Sequence, residues 1–167
     1  MLGLRWSDVA LEQGRISVRQ SLTVVRHEPV FQPTKTSAGT RGIALDDGTV
    51  AVLRSWRAQQ AQERLLVGPG WNDSSLVFTM PDGSLVHPES FSKVFDRRVA
   101  AWRFPHLTIH GLRHTLATVA LTSGVHPRVV QERLGHSTIA VTLQIYSHVT
   151  PTLHDEAARA VASQMLR

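Results

Sequence analysis

The sequence predicts an α+β fold, mostly α-helical, with one small antiparallel three-stranded sheet near the N-terminus. Three observations carry that expectation. The first third is rich in β-branched, partly alternating segments; later stretches place apolar residues at helical spacing; and Gly and Pro punctuate the joins between them. At 167 residues with 42% hydrophobic side chains, the chain has material for one ordinary core and little more.

In order, RISVRQSLTVV (Arg15 to Val25) reads as a strand, and a second extended piece runs from Pro29 to Pro33. KTSAGTRGIALDDG then supplies a turn and a short third strand. Asp46 and Asp47 stand where they can cap a helix running to about Leu66, with Val50, Leu53, Trp56, Ala58 and Ala61 on its apolar face. Gly68, Pro69 and Gly70 end it. PDGSLVHPES holds a turn, and Pro88 opens a further helix. Helices are expected over about 88–101, 110–122, 127–134, 138–146 and 152–166, separated by HLT, SGVH, GHS and SHVTP.

Composition narrows the function. Eighteen Lys and Arg face thirteen Asp and Glu, a formal charge of +5 that favours a polyanionic partner, because arginine meets phosphate with a flat, two-pronged donor face. The chain has no cysteine, which excludes disulfides and thiolate metal sites. No apolar run reaches the roughly 18 residues of a membrane helix, and Arg5 and Asp8 interrupt MLGLRWSDVA where a signal peptide needs an apolar core. A soluble, cytoplasmic protein with no membrane partner is expected.

In TIHGLRHTLATVAL, His110, Arg113, His114 and Ala117 fall at helical offsets of zero, three, four and seven, so they share one face. Leu112, Leu116, Val119 and Ala120 form another face, which is expected to be the buried one. The polar face is either a solvated surface or a site. Two histidines four apart also suit a metal, but the glutamate of H-E-x-x-H is absent and a guanidinium between the ligands would repel a dication, so no metal is expected.

Further on, Pro127 starts a helix, Gly135 stops it as a left-handed cap, and His136 is left on a tight corner with Ser137 as the next N-cap. Tyr146, the only tyrosine, follows ten residues later. On its own it is either a half-buried packing residue or a reactive phenol.

Taken together, HGLRH, LGHS and IYSHV resemble, in order, the three conserved boxes of the tyrosine recombinase or phage integrase family, and GLRWSDV with the KTSAGTRGIAL turn extends the likeness over almost the whole chain. The resemblance implies the catalytic-domain fold of that family over residues 1–150, with 151–167 as a helical tail that docks in cis or on a neighbouring protomer. It implies double-stranded DNA as partner and site-specific recombination as function. Tyr146 would be the nucleophile, forming a 3′-phosphotyrosyl bond. Arg113 and His136 would hold the phosphate, His110 would support it and assist proton transfer, and Lys35 would protonate the leaving 5′ oxygen. His114 and His148 would be supporting or structural. No cofactor or metal is then required.

In the family, the first catalytic arginine precedes the position of Arg5, so this chain is expected to lack it and to be impaired in strand exchange. Within GLRWSDV, Trp6 would pack and Asp8 would cap. A DNA-binding module without chemistry, a recombinase remnant, and a type IB topoisomerase-like activity are the alternatives. Association with the nucleoid follows from the DNA partner.

Overall fold

The structure, a computed structural model, describes residues 1–34, 40–105, 107–147 and 162, apart from the side chains of residues 146 and 147. It divides into two compact units, Met1–His106 and Leu107–Arg167.

In the N-terminal unit the chain from Arg15 to Val25 is two strands rather than one. Strands β1 (Val9–Ala10), β2 (Arg15–Val18) and β5 (Arg41–Ala44) form a three-stranded antiparallel sheet in the order β1-β2-β5. Strands β3 (Gln20–Val25) and β4 (Glu28–Pro33) form a separate hairpin. The break falls at Arg19, whose Nε lies 3.3 Å from the nearly buried Asp8 carboxylate. Alternation continues on both sides of Arg19, so hydrophobic pattern could not reveal the division. Asp8 therefore pairs with Arg19 instead of capping a helix; it ends a short 3₁₀ turn, Trp6–Asp8. The hairpin closes through Arg26 and His27, at φ 52° and 69°. A two-residue loop matching strand twist requires positive φ at both positions, a role usually taken by Asn-Gly, so this turn carried no sequence signal.

Helix α1 (Asp47–Val67) begins as expected, with the Asp46 side chain accepting from the Thr49 N–H at 3.0 Å, and ends at Gly68. Its buried residues are Val50, Leu53 and Gln60, while Ala58 and Ala61 are exposed. Gln60 belongs to the inner stripe because it ties three elements together. Its Oε1 accepts from Trp6 Nε1 at 2.6 Å, and its Nε2 donates to the Leu76 carbonyl at 3.2 Å and to Thr79 Oγ1 at 2.7 Å. Trp6 thus packs, with the Arg57 guanidinium 5.2 Å from its ring centre. Helix α2 (Pro88–Ala101) starts at Pro88 behind a His87 cap.

The C-terminal unit contains α3 (Ile109–Thr122), α4 (Pro127–Leu134) and α5 (Ile139–Ser147). Ala117, Leu121, Val130 and Leu134 form its core, with Ala120 and Ile145 packed against it. The expected burial of Leu112, Leu116 and Val119 is corrected here: they are 45%, 47% and 55% exposed. The inner stripe of α3 runs instead through Ala117 and Leu121, the same stripe that His110 and Arg113 open. Small Ala117 lets the neighbouring helices approach closely, and the polar groups sit at the end of a buried seam. No described helix is long and apolar enough to cross a membrane.

Candidate active site

Thr108 caps α3 by accepting from the Gly111 N–H at 2.8 Å, which fixes the first turn and with it His110. Arg113 follows one turn later and is half-buried. Its Nη2 donates to the Leu134 carbonyl, and its Nε donates to His136 Nε2 at 3.4 Å. Burial lowers the Arg113 pKa from its ordinary value, yet an arginine remains a cation at neutral pH.

His136 owes its place to the end of α4. Gly135 adopts φ 67° and ψ 39°, a left-handed conformation that glycine reaches without a Cβ penalty. The Gln131 carbonyl then accepts from both the Gly135 N–H (2.8 Å) and the His136 N–H (3.1 Å), and Gln131 Nε2 donates to the His136 carbonyl at 3.2 Å. The corner is therefore held on both backbone faces. Helix α5 starts at Ile139, so Ser137 lies one residue too early for the N-cap position expected of it.

His110, Arg113, His114, His136, Val141 and Ile145 line a cavity of about 330 Å³. None of these residues is acidic, and one is a permanent cation, so the walls suit an oxyanion. His110 Nε2 and His114 Nε2 are 3.0 Å apart, their rings nearly perpendicular. Among the described residues, no group of three or more His, Cys, Asp or Glu is placed to hold a metal ion.

Three of the expected site residues, His110, Arg113 and His136, thus meet at one cavity. Tyr146 is the penultimate residue of α5, and its side chain lies outside the described residues, as do Lys35 and His148. Sequence reasoning missed Thr142, which is fully buried and joined through Oγ1 to His136 Nδ1 at 2.9 Å. Its position one turn before Tyr146 was the available signal.

The model for the phage integrase family matches residues 1–152. A tyrosine recombinase XerC-like protein of Caldanaerobacter subterraneus subsp. tengcongensis is 29% identical over 163 residues, covering 90% of this chain and 42% of its own. An integrase of Saccharopolyspora erythraea is 32% identical over 124 residues, covering 74% of this chain and 28% of its own. The chain therefore spans less than half the length of these curated relatives. The Tn1549 transposon integrase, solved in complex with transposon right end DNA, superposes with a TM-score of 0.80 at 22% identity, over 99% of this chain and 53% of that one. That likeness shows a shared fold, the mostly helical one with small antiparallel sheets.

Proposed function

This chain belongs to the phage integrase family, and from that premise we propose that it serves site-specific DNA recombination as the strand-breaking and strand-joining part of a recombinase. The observation that supports this reading is the Arg113 and His136 pair on a cavity without acidic walls. The +5 charge and the DNA complex of a structural neighbour support duplex DNA as the partner.

In this reading the Tyr146 phenol oxygen attacks the scissile phosphorus. A 3′-phosphotyrosyl bond forms as the bond to the 5′ oxygen breaks, and Lys35 supplies that oxygen with a proton. A 5′ hydroxyl then attacks the phosphotyrosine, restoring a phosphodiester and releasing the phenol. One ester replaces another at each step, so no cofactor or energy source is consumed. Arg113 donates to the non-bridging oxygens, His136 does so through Nε2–H as an imidazolium whose Nδ1–H stays inside the protein, and His110 assists the transfer of the phenol proton. A guanidinium carries five N–H donors. Among the described residues, Leu134 and His136 engage two of them, leaving donors for the phosphate.

The tail over 151–167 docks, in the same reading, in cis or on a second protomer assembled on DNA, and the protein works at the nucleoid. Solution mass at several concentrations tests the tail: a strict monomer at every concentration excludes exchange between protomers.

The chemistry is tested with duplex DNA nicked near the target phosphate, which traps the covalent intermediate for denaturing gels. Both this chain and a form extended at its N-terminus by a family relative's preceding helix are used. A protein–DNA adduct lost in Tyr146→Phe is expected. Absence of adduct in both forms would overturn the proposal and favour a DNA-binding module.

A further inference from the structure

We propose that Thr142 is a positioning residue that holds the ring of His136 with Nδ1 inside the protein and Nε2 at the cavity. Thr142 lies in α5 four residues before Tyr146 and is fully buried. A hydroxyl taken out of water requires a partner, and Oγ1 finds it in His136 Nδ1 at 2.9 Å.

The direction of that hydrogen bond follows from the other edge of the ring. Arg113 Nε–H donates to His136 Nε2. A guanidinium can only donate, so Nε2 meets it with a lone pair, and the hydrogen of the neutral imidazole is on Nδ1. Nδ1–H then donates to Thr142 Oγ1. The hydrogen bond at one nitrogen sets what the other nitrogen can do. With Nδ1 engaged inside the protein, Nε2 is the nitrogen presented to Arg113 at the cavity, and the ring cannot turn over without breaking a buried bond. The same bond ties the corner after α4 to the helix that carries Tyr146, so the phosphate-binding histidine and the nucleophile's backbone keep one spacing.

The catalytic consequence rests on the proposed function; the tautomer does not. Long-range ¹H–¹⁵N spectra of the labelled full chain separate Nδ1–H from Nε2–H histidines, with His136→Asn assigning the signal. His136 is expected in the Nδ1–H form in the parent and in Thr142→Ser. In Thr142→Val, which keeps the shape, and Thr142→Ala, which removes bulk, it is expected to move toward Nε2–H while circular dichroism is unchanged. An Nε2–H ring in the parent, or an unmoved Nδ1–H ring in the valine and alanine variants, would overturn the proposal.

In single-turnover adduct formation, Thr142→Val is expected to lower the rate at saturating DNA by about tenfold to a hundredfold through misplacement of the histidine. DNA affinity should hold within about twofold, and serine should restore most of the rate. Equal rates for valine variant and parent would refute the positioning role. Absence of adduct from the parent in both forms would refute the proposed function instead, leaving the spectra to judge Thr142.

Discussion

Replacing Arg113 by lysine keeps the charge and removes the fork. The guanidinium reaches the Leu134 carbonyl through Nη2 and His136 through Nε, two directions that a single ammonium cannot serve together. A hydrogen bond from a charged donor contributes about 1.5–3 kcal/mol net. Arg113 is half-buried and its contact with His136 is long at 3.4 Å, so the combined loss belongs near the middle of that range, about 2 kcal/mol. In a chain of this length each kcal/mol moves Tm by roughly 2–4 °C, so Arg113→Lys should melt about 4–8 °C lower. The effect on chemistry should be larger, because removing one well-aimed oxyanion donor typically slows a reaction by about 10²–10³. The assay is adduct formation on nicked duplex DNA, run well below the variant's Tm and paired with a thermal melt. An adduct rate within about threefold of the parent would refute the placement of Arg113 on the phosphate. An unchanged Tm would refute the account of its two protein bonds.

Other perturbations probe the frame around the site. Gln60→Leu keeps the bulk but strands the Trp6 indole N–H, the Leu76 carbonyl and the Thr79 hydroxyl, so the urea midpoint should fall by the equivalent of about 3 kcal/mol; an unchanged midpoint would show that water replaces the amide. Gly135→Ala puts a Cβ on a left-handed residue, with an expected loss of about 1–2 kcal/mol in denaturant titration and a drop in adduct rate beyond what the stability change explains. The Thr49 hydroxyl, then its N–H, holds the Asp46 carboxyl below its ordinary pKa of 3.8. The folded pKa being the lower one, this cap contributes fully above the unfolded value and is lost as pH falls below 3.8 through the folded value. Asp46→Asn, which accepts the backbone bond without titrating, should therefore lose less stability than the parent between about pH 6 and pH 2; equal acid losses would remove Asp46 from the account.

Features that depend on neighbours along the chain are legible in the sequence itself. Helix starts at Asp47, Pro88 and Pro127, the stop at Gly135 and the shared face of His110 and Arg113 all follow from contacts within about one turn, where residue type and spacing specify the geometry. The corner that carries His136 belongs to this group, so most of the described cavity could be anticipated.

What escaped was every choice between two locally equivalent options. Helix α3 has two stripes that could be buried, and the more apolar one stayed outside because α4 and α5 pack on Ala117 and Leu121. The run from Arg15 to Val25 could have been one strand, and partners on different sheets divided it at Arg19. Gln60 and Thr142 carry ordinary polar side chains with no local signal of burial, and partners 54 and 6 residues away took their polar atoms out of water. Local sequence dictates conformations whose hydrogen bonds close within a turn; burial is settled between segments, where the partner and not the residue determines the outcome.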